Sequence, residues 1–254
     1  MTYCVGLMLN KGLVFMSDTR TNSGIDNIST FRKMHTWEVS GERSISLMTA
    51  GNLATTQAVV SLLDERSKQP GDRQPGILEA ASMFQVATLV GNVLKEVIST
   101  HALTGQQANS AFNATMILGG QVGDGEPRLF LIYPEGNFIE ASFDTPFFQV
   151  GETKYGRPIL VRAYDPDMSF EDAIKLLLLS FDSTIKANLS VSLPLDVHVY
   201  HAGSLKNGEV FRIEADDPYY ETISSGWGSA LRDAFHGLPD FAFPDDASQP
   251  APGT

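Results

Sequence analysis

The residues with the most direct route to chemistry stand at the start of the sequence. Thr2 follows Met1, and a small residue in second position permits removal of the methionine. The product would carry a hydroxyl and a free α-amine on one residue, a nucleophile and its base in a single unit. An α-amine has a reference pKa of roughly 7.7–8.0, so a useful fraction is neutral near pH 7 and can accept a proton. Alone this signal is weak, because many proteins begin Met-Thr. Asp18, Arg20 and Lys33 strengthen it. Tyr3–Leu9 and Gly12–Ser17 read as strands joined by an Asn10-Lys11-Gly12 turn, and with a turn of that length paired positions sum to about 21 or 22. Thr2 then faces Thr19 or Arg20, a step or two from Asp18, and Lys33 at the head of the next strand can return beside Asp18. A cation held there lowers a hydroxyl pKa and stabilises negative charge on the oxygen. On spacing alone the same three residues are explained as strand-end charges on a solvated face, and that is the favoured interpretation of the geometry.

Other chemistries find less support. His198 and His201 stand three apart on an expected strand, so they point to opposite faces and cannot chelate one metal as a pair. No nucleophile elbow, P-loop or dinucleotide-binding glycine motif lies between a strand and a helix. Nothing recommends a serine–histidine triad or a metal site. Cys4, the only cysteine, cannot form an internal disulfide, and its place on a strand suits a buried, small apolar residue.

The elements that must position these residues follow from patterning. Beyond the first hairpin, strands are expected at Lys33–Val39, Ser44–Thr49, Thr115–Leu118, Arg128–Tyr133, Phe138–Ala141, Val197–His201 and Val210–Ile213, with a turn at Pro134–Asn137. The first two strands are apolar at consecutive positions, which predicts a sheet covered on both faces. Helical spacing is clear for Ala54, Ala58, Val59, Leu62 and Leu63, and for Val86 through Ile98. It recurs from Ser169, whose spacing to Asp172 fits a capping box, through Phe181. A last short helix is expected near Ser229–Phe235. Paired helices between blocks of hairpins predict an α+β layered sandwich with antiparallel sheets inside.

The 254 residues carry 30 acidic and 18 basic side chains, for a formal net charge of −12. That balance argues against a nucleic-acid partner. No apolar run is long enough for a membrane span, and no basic region precedes the apolar start, so a membrane association and a signal peptide are not expected. A lone cysteine suits the cytoplasm. Residues 1–236 are expected to form one domain. Residues 237–254, rich in Pro and Asp and without Lys or Arg, read as a loose acidic tail on which Phe241 and Phe243 could dock.

The order Thr2, Gly6, Asp18-Thr19-Arg20, Gly24, Lys33 and Ala50-Gly51 resembles that of proteasome β subunits. The closer resemblance is to the bacterial proteasome-like family called Anbu, the ancestral β subunit. It is carried by Met1–Gly6, Ser17–Asn22, Gly151–Leu160 and Asn188–Val191, and it extends from Thr2 to about Phe235. The resemblance implies an Ntn-hydrolase fold, a four-layer αββα sandwich of two antiparallel sheets flanked by helices. It implies Thr2 as nucleophile and, through its α-amine, as base, with Asp18 and Lys33 as the supporting ion pair. Gly51 would offer its N–H to the oxyanion. Thr21, Asn22, Phe31, His35, Thr49 and Leu53 would line the pocket for substrate, with Phe31 and Leu53 pointing to an apolar preference. It further implies a homo-oligomer, ring-like or helical, with a peptide or amide substrate, no metal and no cofactor. Any unfoldase would be a separate protein, because the chain has no ATP-binding motif.

Three departures from the β-subunit pattern stand out. Lys33 is one residue closer to the threonine. Gly151-Glu152-Thr153 replaces a Gly-Ser-Gly segment, which puts a carboxylate near the amine and raises its pKa. The usual Asp-x-x-Ser pair is blurred: Ser190 fits its serine, but Ala187 stands three before it and Asp182 eight before. With no propeptide beyond Met1, activation would need an aminopeptidase. Three functions stay open. The chain is a threonine-type peptidase, an Ntn amidohydrolase or transferase for a specific small amide, or a non-catalytic shell subunit that keeps Met1.

Overall fold

A computed structural model describes residues 2–22, 28–68, 76–102, 112–241 and 243. Strands β1 (Tyr3–Leu9) and β2 (Gly12–Asp18) form the opening hairpin. Their register pairs Cys4 with Ser17 and Leu9 with Gly12, so Asn10 and Lys11 alone form the turn and the positional sum takes its lower expected value. Two short strands follow, β3 (Arg20–Asn22) and β4 (Ile28–Thr30), then β5 (Met34–Val39) and β6 (Arg43–Gly51). Helices α1 (Leu53–Lys68) and α2 (Met83–Ala102) precede strands β7 (Ala114–Val122), β8 (Arg128–Ile132), β9 (Phe138–Glu140) and β10 (Phe147–Gly151). Helices α3 (Thr153–Ala163) and α4 (Phe170–Ala187), strands β11 (Leu195–His201) and β12 (Val210–Ile213), and helix α5 (Pro218–His236) complete the order.

Among the described residues, the strands make two five-stranded sheets, β10-β1-β2-β11-β12 and β5-β6-β7-β8-β9, with β3 and β4 paired apart. The adjacent strands in both are antiparallel. Three apolar clusters mark the layers. Tyr3, Val5, Leu7, Val14 and Met16 pack against α3, α4 and α5. Ile45, Leu47, Met116 and Leu118 pack against α1 and α2. Cys4, Leu13, Phe15, Met48, Ile117 and Tyr200 fill the space between the sheets. The alternate residues of β1 thus serve two different cores, which is why its apolar positions run consecutively. This is the four-layer αββα sandwich, with each sheet buried on both faces.

The caps explain where the helices start. Ser169 Oγ accepts the Asp172 N–H at 3.0 Å and opens α4, as the capping-box spacing predicted. Asp217 caps α5 through the Tyr220 N–H at 2.9 Å, and Pro218 fills the first turn. That helix is therefore much longer than the short one expected near Ser229–Phe235. Helix α3 and strand β10 were not expected; Pro158 and Gly156 inside α3 mask its periodicity. Helix α5 ends at His236, and of the residues beyond it Phe241 and Phe243 are exposed and meet edge to face. Among the described residues, no helix is long and apolar enough to cross a membrane.

Candidate active site

The hairpin places Thr2 at the open end of β1, and three main-chain contacts hold that end. The Thr2 carbonyl accepts the Glu152 N–H at 2.8 Å. The next residue, Tyr3, donates its N–H to Asp18 Oδ1 at 2.9 Å. Strand β10 runs alongside, with Tyr3 paired to Gly151. Gly151 has φ of +85°, and a Cβ there would lie 1.8 Å from the Thr2 carbonyl oxygen. Only glycine lets the chain pass this close and turn into α3.

Asp18 is fully buried, and its Oδ1 also accepts Lys33 Nζ at 2.7 Å. Lys33 donates again to the Arg20 carbonyl at 2.6 Å. The Phe31 N–H bonds the Thr19 carbonyl, and the Thr49 N–H bonds the Lys33 carbonyl, so the segment entering β5 is tied to both hairpin and β6. Burial pushes the Asp18 carboxyl up from its ordinary range, while Lys33 and the Tyr3 N–H hold it back. Its Oδ2 has no partner among the described residues.

Beneath Thr2 lies a polar knot in the core that sequence reasoning did not anticipate. Tyr3 Oη is 2.7 Å from Ser180 Oγ on α4 and accepts Gln149 Nε2 at 2.5 Å. Its ring meets Phe181 at 4.5 Å. Burial pushes the phenol up to about 12. The residue after Thr2 is thereby fixed at its N–H and at its side-chain tip.

Gly51 ends β6 with φ of +120°, and a Cβ would come within 2.4 Å of the Asn113 carbonyl oxygen. The next residue, Asn52, caps α1 by accepting the Thr55 N–H at 3.0 Å. Strand end and helix start therefore meet beside a cavity of about 1120 Å³. Thr2, Lys33, Gly51, Thr21, Phe31, His35, Thr49 and Leu53 all line it, with Glu152 beside Thr2. Asp18 sits behind Lys33. The side chain of Asn22 lies outside the described residues, as do Met1, Gly24 and much of the polar segment after α1.

Two expected site residues are not brought to this cavity. Asp182 lies on α4, buried, where it accepts Lys186 Nζ at 3.0 Å and Tyr220 Oη at 3.2 Å from α5. Its helical position turns it toward α5 and away from Thr2. Ser190 stands in the turn after α4, its N–H bonded to Asn188 Oδ1 at 2.9 Å. Conversely, Arg32, Thr56, Gln57, Val60 and Ser61 line the cavity unanticipated. Thr56, Gln57, Val60 and Ser61 recur at helical spacing along α1, whereas the stripe read from the sequence runs through Ala54, Ala58, Val59, Leu62 and Leu63.

A threonine, a buried lysine–aspartate pair and a glycine at a strand end thus gather around one cavity on the sandwich fold of the Ntn hydrolases. A profile of the proteasome subunit family matches residues 2–197, and the chain belongs to that family. Its Anbu group, read from the sequence, recurs in the solved structures. Anbu from Hyphomicrobium sp. strain MC1 is 46% identical with a TM-score of 0.88, covering 95% of this chain and 100% of its own. Anbu from Yersinia bercovieri is 46% identical with a TM-score of 0.87 over the same shares. The helical assembly of the Anbu complex from Pseudomonas aeruginosa is 44% identical, with a TM-score of 0.88 and 94% and 98% covered. A proteasome subunit beta of Haloquadratum walsbyi is 25% identical over 199 residues, 78% of this chain and 72% of that protein.

Proposed function

We propose that the protein is a threonine-type peptidase of the cytoplasm that acts as a homo-oligomer, with Thr2 as nucleophile after Met1 is removed. The reading is carried by the convergence of Thr2, Lys33 and Gly51 on one cavity, with Asp18 bonded to both Lys33 and the residue after Thr2. The Thr2 hydroxyl attacks the amide carbonyl while its own α-amine takes the proton. Lys33, charged and held by Asp18, lowers the hydroxyl pKa. The Gly51 N–H stabilises the oxyanion. The amine then passes its proton to the leaving group, and water activated by the same amine hydrolyses the ester. Assembly into a ring or an open helix is supported by the helical form of the P. aeruginosa relative.

The test is a threonine-reactive β-lactone followed by intact-mass measurement and peptide mapping. A single adduct at Thr2, absent in Thr2→Ala, is the expected result. A protein that keeps Met1 and takes no adduct would instead be a shell subunit. Turnover of one small amide with no peptide cleaved would move the same site to amidohydrolase chemistry.

A further inference from the structure

At the end of β1 away from Thr2 lies a second recess, of about 480 Å³, lined by Met8 and Asn10 of the first hairpin and by Pro127, Pro146, Tyr164 and Pro166. Phe143, which is 86% exposed, stands at its wall. The seven residues of β1 separate the recess from Thr2, roughly 23 Å at about 3.3 Å per residue, so a ligand there leaves the Thr2 cavity open. Its walls are short of hydrogen-bond donors. The prolines have no N–H. The Met8 N–H is spent on the Pro146 carbonyl at 2.8 Å, and the Asn10 N–H on the Pro166 carbonyl at 2.9 Å. The Asn10 side-chain amide donates to Asp167 at 2.6 Å, and the Tyr164 hydroxyl donates to the Met8 carbonyl. What the recess offers instead is acceptors. Glu126 lines it, Asp144 follows Phe143, and Asp165 and Asp167 flank Pro166, all exposed. Burial, reinforced by the charges of Asp165 and Asp167, pushes the Tyr164 phenol up to about 12. The neighbouring cations are engaged or turned away. Lys11 lies over the Phe170 ring at 5.7 Å, Arg157 over the Phe147 ring at 5.6 Å, and Arg128 is forked onto Glu140. Arg162, exposed, stands two residues from the buried Leu160 and so on the opposite face of α3.

We propose that this recess docks a basic segment of another protein, with an apolar side chain filling it and arginines on either side meeting Glu126, Asp144, Asp165 and Asp167. The proposal goes beyond the peptidase reading and does not depend on it. A guanidinium brings donors and no acceptor, which suits a wall of carbonyls and carboxylates, and it stacks on an exposed ring such as Phe143. Two other occupants fit worse. Residues 237–254 of the chain itself supply Phe241 and Phe243 but no Lys or Arg, and their aspartates would meet carboxylates. A second copy brings a formal net charge of −12 to an acidic rim, and like charges set against each other oppose docking.

The test is fluorescence anisotropy of a fluorescein-labelled heptapeptide titrated with the full chain. The peptide has phenylalanine at its centre, two arginines on each side and a glycine at each end. Saturable binding is expected. Serine in place of the central phenylalanine should weaken it ~10-fold, because the burial of the anchor is lost, and glutamates in place of the arginines should abolish it. Phe143→Ser and, independently, Glu126→Gln with Asp165→Asn should each weaken it ~5-fold; all three side chains are exposed, so the fold is kept. Raising the salt from about 50 to about 300 mM should weaken it further. Absence of saturable binding, equal affinity for the serine peptide, or equal affinity of the parent and both variants overturns the proposal. Tighter binding of a peptide of residues 237–254 overturns it in favour of the chain's own tail. Displacement of the probe by spermine as readily as by unlabelled peptide marks a site for any polycation and overturns it too.

Discussion

Replacing Asp18 with Asn removes the counter-ion of Lys33 while keeping the side-chain volume. The two side chains are 0% and 6% exposed, and the ion pair spans 2.7 Å. After the substitution Lys33 is a buried cation left with neutral acceptors, the Arg20 carbonyl and the new amide oxygen. Removing one partner of a buried pair typically costs about 3–5 kcal/mol, mostly because the other charge is stranded. The Tyr3 N–H also loses a charged acceptor at 2.9 Å, but it shares Oδ1 with Lys33, so the two losses do not add in full. A loss of about 3–5 kcal/mol is therefore expected for Asp18→Asn, and a similar one for Lys33→Met, which strands a carboxylate whose Oδ2 is already unpartnered. The double variant strands neither charge and should be more stable than either single one, with a coupling of ~1–3 kcal/mol. Urea unfolding of the four proteins at pH 7.5 measures this, and β-lactone labelling of each reads the chemistry. Strictly additive losses, or single losses below ~1 kcal/mol with labelling intact, would refute the view that this pair holds the site.

Acid sensitivity should trace to His198, fully buried between the sheets with Nδ1 2.6 Å from Ser46 Oγ and Nε2 without a partner among the described residues. Burial pushes its pKa from 6.5 down to about 4. Between those values the unfolded chain binds a proton that the folded one excludes, so this stability is complete above about pH 6.5, falls as the pH drops, and is gone below about pH 4. At about 1.36 kcal/mol per unit the contribution is ~3 kcal/mol. Urea midpoints from pH 7.5 to 4.5 should fall more steeply for the parent than for His198→Leu/Ser46→Ala, and parallel curves would count against it. Gly151→Ala and Gly203→Ala separate backbone strain from collision. Both glycines have φ near +80°, but a Cβ at Gly203 meets nothing within 4 Å. Gly203→Ala should cost ~1–2 kcal/mol, and Gly151→Ala more, with loss of Thr2 labelling; equal costs with labelling retained would show that the contact is not needed.

What the sequence made legible was what local geometry determines. A two-residue turn fixes the register of its own hairpin, so the neighbourhood of Thr2 and Asp18 could be read from spacing, but the solvated face that spacing favoured for Asp18 and Lys33 is wrong: both are buried, because the sheet is covered on both faces. Consecutive apolar residues in β1 likewise announced a sheet with a core on each face. Helix α3 stayed hidden because Gly156 and Pro158 break the pattern that would announce it, although Glu152, the residue that precedes its first turn, supplies the N–H that holds the Thr2 carbonyl. Asp182 was misplaced for a related reason. An offset along the sequence says how far a residue lies from Ser190, but the rotation of α4 decides which neighbour it meets, and that neighbour is Tyr220. The far wall of the cavity depends on how α1 lies against β5, a relation between segments more than twenty residues apart. Thr2 and the Asp18–Lys33 pair are thus grouped by a hairpin and its following strand, whereas Gln57, Ser61 and His35 are brought to the cavity by helix-on-sheet packing. Substitutions at Gln57 or Ser61 can therefore change what the cavity accepts without disturbing the hairpin that holds Thr2.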